Sequence, residues 1–231
     1  MKAVVLSSGG VDSTTCVAMA VNELGSANVV TLSFKYGQRH AKELESAQKI
    51  ADFYGLKHYV YDLTSIFAYS DCSLLSSSKE KPEHMSYADQ IARGGEGKVS
   101  TYVPFRNGLM LSAAAALAQS LYPEEECGIW IGAHADDAAG NAYADCSVAF
   151  NESMGRAISI GTYELVKLHA PLNRLDKAQV VAEGLKLGVP YDLTWSCYEG
   201  GEKACGKCAT CIDRLAAFRA NCCEDPIEYE D

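Results

Sequence analysis

The chain contains no apolar run approaching the roughly 18 residues that a membrane-spanning helix needs, so no membrane association is expected. It is also short of positive charge. Its 20 Lys and Arg stand against 30 Asp and Glu, a net charge of −10. Such an acidic chain grips a phosphate backbone poorly, so nucleic acid is not expected as a partner. There is no internal repeat and no obvious domain linker. The 231 residues therefore make one large domain, or one plus a small appendage. The amino terminus, MKAVVLSSGG, lacks the apolar stretch of a secretory signal, and the chain is expected in the cytoplasm. In that reducing compartment its ten cysteines are expected free, metal-bound or catalytic rather than paired as disulfides.

What is present alternates strand and helix. Apolar runs at Ala3–Ser7, Asn28–Phe34 and His58–Leu63 read as buried strands. Helical spacing over Ser13–Leu24 and His40–Tyr54 stops each time at a glycine, Gly25 and Gly55. Gly108–Leu121 reads as a helix buried all round. Gly128–His134 and a segment within Glu164–Leu172 supply two more strands, and Asp176–Gly188 a further helix. This order predicts an α/β fold, a five-stranded parallel sheet with helices on both faces. The stretch from Ser65 to about Ser100 breaks the rhythm and reads as a functional loop or lid. The division expected is a main α/β domain over 1–194 and a cysteine-rich element over 195–231 packed on it.

The turn after the first strand carries Ser7, Ser8, Gly9, Gly10, Val11, Asp12, Ser13 and Thr14. Ligands of open α/β sheets bind at such strand ends. Two glycines let the backbone approach a ligand, and hydroxyls plus a helix amino terminus suit phosphate. No Gly-Lys-Ser/Thr follows and no G-x-G-x-x-G is present, which excludes a P-loop and a dinucleotide fingerprint. Asp12 would repel phosphate unless Mg²⁺ lies between them, so it is assigned to metal or loop organisation. A plain turn with Ser13 as N-cap would look similar. Arg39, flanked by Gln38 and His40, follows the second strand, and Arg106 and Asn107 precede the apolar helix. Each arginine suits an anion, although Arg39 in solvent and Asn107 as a simple cap fit as well. Lys177 opens a helix, a poor place for a cation on dipole grounds unless an anion is held there; a solvated lysine is the alternative. Cys197, Cys205, Cys208 and Cys211 are spaced C-x7-C-x2-C-x2-C. Four thiols suffice for a closed, structural Zn²⁺ site, with Lys203, Lys207 and Arg214 near enough to offset its charge. A redox pair or an iron–sulfur cluster is the alternative.

The SGGVDS loop resembles the signature of the N-type ATP pyrophosphatases. FKYGQRHAKEL (Phe34–Leu44), YVPFRNGLML (Tyr102–Leu111) and the segment Leu187–Phe218 resemble the 7-cyano-7-deazaguanine (preQ0) synthases of queuosine biosynthesis within that superfamily. The resemblance implies a five-stranded parallel sheet, a zinc site at the four cysteines, a homodimer, and a lysine at position 177 touching phosphates. It implies an ATP-dependent ligase acting on 7-carboxy-7-deazaguanine and ammonia, small molecules only. Asp12, Ser13 and Lys177 would be catalytic. Asp136, Asp137, Tyr143 and Asp145 would read the substrate, because carboxylates accept from the guanine-like N1–H and 2-amino donors; a plain acidic surface loop is the alternative. The family usually has Tyr-Pro-Asp-Cys where this chain has Tyr143-Ala144-Asp145-Cys146. The rivals are a tRNA thiolation enzyme of the same fold and a non-catalytic zinc-stabilised nucleotide-binding module.

Overall fold

The first strand sends alternate side chains to opposite faces, as the period of two requires. In the computed structural model, which describes residues 1–94, 99–139 and 142–230, Ala3 and Val5 enter one core, while Val4 and Leu6 enter another. This strand, β1 (Lys2–Leu6), is the centre of a five-stranded sheet. With β2 (Val29–Lys35), β3 (Lys57–Asp62), β4 (Cys127–Trp130) and β5 (Val166–His169) the order is β3-β2-β1-β4-β5. Every pair is parallel; Val4 lies opposite Val30 on one side and Ile129 on the other. The chain therefore reverses its direction of travel between β1 and β4, and a crevice opens at their carboxyl ends.

Helices cover both faces. One core packs α4 (Arg106–Leu121) and α6 (Val148–Gly161) on the sheet through Leu111, Ala114 and Ile158. The other packs α1 (Val11–Leu24), α2 (Lys42–Tyr54), α7 (Lys177–Lys186) and α8 (Ala209–Ala220) through Val17, Ile50, Val180 and Phe218. The segment from Trp195 keeps a small core of its own around the four cysteines, yet Ala217 and Phe218 of α8 are buried in the main core. Two shorter helices, α3 (Tyr87–Gly94) and α5 (Ala135–Ala138), lie in the connections that follow β3 and β4. Among the described residues, no helix is long and apolar enough to cross a membrane.

Three local readings change. α1 begins at Val11, with Gly10 at the N-cap and no side-chain cap. Ser13 does not cap it, because its hydroxyl accepts from the Ser8 N–H at 3.1 Å and so folds the loop on itself. α4 is not buried all round: Ser112, Ala116 and Ser120 face solvent, which small side chains tolerate at little cost. α6 was not anticipated, although Ser147 caps it by accepting from Phe150 N–H at 3.2 Å. Within the irregular stretch, α3 is formed, while Gly95 to Lys98 of its glycine-rich patch lie outside the described residues, as do Gly140 and Asn141 of the later loop.

Candidate active site and cysteine cluster

A cavity of about 670 Å³ occupies the crevice at the carboxyl ends of β1, β2 and β4. Its first end is built from the SGGVDS turn. Gly9 has a φ of +78° and no room for a side chain: a Cβ would stand 2.4 Å from the Glu43 carbonyl oxygen. Gly132, after β4, lets the chain pass α1 equally closely, since a Cβ there would lie 2.8 Å from the Asp12 carbonyl oxygen. These contacts bring the loop, α2 and β4 together around the cavity. Ser7, Ser8, Gly10, Asp12 and Ser13 line it. The Ser7 hydroxyl is buried and has no hydrogen-bond partner among the described residues. Gly9, Val11 and Thr14 do not line it: Gly9 serves close packing, and Val11 and Thr14 are fully buried.

The charges at this end satisfy one another. Lys177 Nζ donates to Asp12 Oδ1 at 2.6 Å, joining the starts of α1 and α7. The Lys177 N–H donates to Asp136 Oδ2 at 2.8 Å. Thus the anions that offset the unfavourable position of Lys177 are carboxylates of the protein itself. Asp176 caps α7 by accepting from Gln179 N–H at 2.8 Å. His134 Nε2 lies 3.7 Å from Asp12 and 3.4 Å from Asp137, whose other oxygen accepts the His134 N–H at 3.2 Å. Burial pushes the Asp12 carboxyl up, but Lys177 and His134 outweigh it and leave the group below its ordinary value. Burial, aided by the Asp12 charge, holds Asp137 above its ordinary value.

The second end is aromatic. Tyr36, Tyr87, Tyr143 and Tyr198 wall it. The Tyr87 and Tyr198 hydroxyls are hydrogen-bonded to each other, and so are those of Tyr143 and Thr101. Tyr87 and Tyr143 meet edge to face with centroids 5.7 Å apart. Arg106 donates to the Tyr36 hydroxyl at 3.4 Å and lies 5.4 Å from that ring. Glu43 also lines this end, while Asp213 lines the cavity beside Lys177 and Asp136 at the loop end. Burial raises the Glu43 carboxyl to about 7 against the pull of Arg106, and raises that of Asp213 to about 6. Sequence reasoning missed both. Glu43 stands in the first turn of a helix, where an acid needs no explanation beyond the dipole.

Two expected site residues are turned elsewhere. Arg39 donates to the carbonyls of Ser73 at 2.8 Å and Ser78 at 3.0 Å, and to that of Glu80. Its guanidinium stitches down the loop and does not line the large cavity. Asp145 is buried and accepts the Asn107 N–H at 2.9 Å, so it caps the start of α4 rather than facing the cavity. Asn107, which does line the cavity, returns the contact through Nδ2 to the Asp145 carbonyl at 3.1 Å.

The four cysteines converge. Cys197, Cys205, Cys208 and Cys211 are all buried, and their sulfurs lie within 4.8 Å of one another. A tetrahedral ion with ~2.3 Å bonds to sulfur requires sulfurs about 3.8 Å apart; Cys205 and Cys211 stand at 4.0 Å. Backbone N–H groups of Cys205 and Cys208 donate to the Cys197 and Cys205 sulfurs at 3.3 Å, a polarity that favours thiolates. The donor set and spacing fit a metal. Arg214 is not the countercharge expected there. It is fully buried and paired with Asp225 at 2.6 Å and 2.9 Å. Lys203 reaches Glu228 at 3.4 Å on the surface.

Residues 2–222 match the family described as "Queuosine biosynthesis protein QueC". The chain is 43% identical over 230 residues to the 7-cyano-7-deazaguanine synthase of Caldicellulosiruptor saccharolyticus, covering 100% of this chain and 96% of the relative. It is 43% identical over 237 residues to the synthase of Thermoplasma acidophilum, covering 99% and 92%. The NMN synthetase of Francisella tularensis shares the fold at a TM-score of 0.51 and 16% identity, over 89% of this chain and 70% of that one. The U34-tRNA thiolase NcsA of Methanococcus maripaludis, solved with its [4Fe-4S] cluster, shares it at 0.50 and 16%, over 86% and 61%. At those identities the two structures speak for the fold alone. The match to the synthases runs instead through the loop, both cavity ends and the cysteines, and the chain belongs to the QueC family of queuosine biosynthesis proteins.

Proposed function

We infer that this chain is an ATP-dependent ligase that makes 7-cyano-7-deazaguanine from 7-carboxy-7-deazaguanine and ammonia. The observation that carries the reading is a single cavity joining a phosphate-type loop to an aromatic chamber, in a chain 43% identical to synthases over its whole length. Its volume falls within the usual ~300–1,000 Å³ of small-molecule sites. A carboxylate is a poor electrophile because oxide is a prohibitive leaving group. Transfer of AMP from ATP to the carboxylate oxygen releases pyrophosphate; attack by ammonia expels AMP and leaves the amide. A second adenylation, on the amide oxygen, precedes loss of AMP and protons to give the nitrile.

The loop residues Ser7, Ser8, Gly10 and Ser13 bind the departing pyrophosphate. Lys177 exchanges its Asp12 partner for phosphate oxygens, since a lysine held by one anion can pass to another at low cost. Asp12, so released, would hold Mg²⁺, an ion that offsets charge as the α–β bond breaks. Tyr143 and the other rings of the aromatic end hold the flat substrate. Cys197, Cys205, Cys208 and Cys211 would hold Zn²⁺; four ligands close the tetrahedron, so the ion stabilises the fold rather than activating water. The thiolation reading is opposed by the net charge of −10, which disfavours tRNA.

The test is mass spectrometry of the products from ATP, ammonium and 7-carboxy-7-deazaguanine. The nitrile, with the amide as an intermediate, is expected. Persistence of the acid while ATP and Mg²⁺ are saturating would remove the reading.

A further inference from the structure

We propose that Glu43 is the residue that reads the donor edge of the deazaguanine ring and so sets substrate specificity. This rests on the ligase reading above. The substrate's N1–H and 2-amino group form a pair of donors, and a carboxylate can accept both. The carboxylates of the chain after β4 are engaged at the loop end or turned away. Asp136 accepts the Lys177 N–H, Asp137 accepts the His134 N–H, and Asp145 accepts the Asn107 N–H. Asp213 lies among Lys177, Asp136 and His134, the charges of the loop end. Among the described residues Glu43 has no hydrogen-bond or ion-pair partner, and it lines the cavity together with Tyr36 and Tyr198.

Its position is fixed by its helix. The Glu43 carbonyl abuts Gly9, so the first turn of α2 is pressed on the nucleotide loop. The neighbouring Lys42 donates to the Glu202 carbonyl at 3.1 Å and lies 4.1 Å from the Trp195 ring centre, which clamps the same turn to the cysteine segment. A carboxylate on such a turn is pre-positioned, as specific recognition requires. Arg106 provides the opposite charge nearby and keeps the carboxylate from being isolated. The donor edge lies across the bicyclic ring from the 7-carboxyl group. Holding that edge at Glu43 therefore also decides which end of the ring meets ATP.

The test compares kcat/KM, read as AMP formation, for 7-carboxy-7-deazaguanine and for its analogue lacking the 2-amino group. Wild type is expected to prefer the acid at least ~10²-fold, because a site built for a donor leaves its acceptor unpaired without one. Glu43→Gln should bring this preference to within about threefold and raise KM for the acid, while KM for ATP stays put, since an amide presents one donor too many. Wild type that treats both compounds alike, or Glu43→Gln that keeps the preference, overturns the assignment. If Glu43→Gln fails to fold, Glu43→Asp replaces it, with a fall in preference expected and an unchanged preference contradicting. Asp213→Asn should keep the wild-type preference; its loss there would place the reader at the other end. No acid-dependent AMP from wild type overturns the ligase reading and this assignment together, whereas acid-dependent AMP without preference overturns only the assignment.

Discussion

The two ends of the cavity balance their charges in opposite ways. At the loop end Lys177 holds Asp12 at 2.6 Å, Asp136 takes the Lys177 N–H, and His134 stands between Asp12 and Asp137. At the aromatic end, among the described residues, Glu43 has no hydrogen-bond or ion-pair partner, and Arg106 reaches a tyrosine hydroxyl at 3.4 Å. An internally paired site suits a ligand that exchanges one anion for another, as a triphosphate does. An unpaired acceptor suits a ligand that brings its own donors. The fold thus keeps the loop end closed on itself and leaves an unpaired acceptor at the aromatic end.

The strongest perturbation should strike both ends together. α8 carries Cys208's neighbour Cys211 and Asp213, and buries Phe218 in the main core, while Tyr198 adjoins Cys197. Cys208→Ala should take metal content from about one ion per chain to none and cost several kcal/mol of stability, because metal binding free energy is folding free energy here. Metal analysis and thermal unfolding check this; iron in place of zinc would contradict it. Lys177→Ala should strike the loop end alone. Losing one preorganised contact to the transferring phosphates costs about 10²–10³ in kcat, and steady-state assays at saturating ATP read it, with KM for the acid little changed.

Smaller effects sharpen the aromatic end. Glu43 must be ionised to accept two donors, and its carboxyl stands near 7. Arg106 lowers it, and Tyr36 and Tyr198, both pushed up by burial, stay neutral across the range. Affinity for the acid should therefore rise about tenfold from pH 6 to pH 8, the change in ionised fraction for such a group. Calorimetry of the acid measures it, and Glu43→Gln should flatten the dependence. Tyr198→Phe removes the hydrogen bond to Tyr87. At about 1 kcal/mol for such a bond, KM for the acid should rise roughly fivefold.

Much of the loop end was legible because its signal is contiguous. Ser7 to Ser13 lie in one turn, and glycines with hydroxyls at a strand end have few other uses. The four cysteines were legible for the same reason, their spacing being short. At the aromatic end only Arg106 and Tyr143 were legible. Tyr36 and Glu43, Tyr87, Arg106, Tyr143 and Tyr198 come from five parts of the chain, and the topology alone assembles them. Arg39 and Arg214 misled for a physical reason: an arginine satisfied by backbone carbonyls or by a buried Asp225 reads, in sequence, like one waiting for an anion. α6 escaped notice because Gly155 and Gly161 weaken its helical signature, and packing supplies what propensity lacks.

The measurement closest to the central claim is the nucleotide stoichiometry of turnover. The loop lacks the lysine that cradles β- and γ-phosphates in P-loop enzymes, and its hydroxyls with Lys177 suit a departing pyrophosphate. Chromatography of the nucleotides should then show two AMP for each nitrile formed. Acid-dependent ADP with little AMP would contradict the account, even if the nitrile were made.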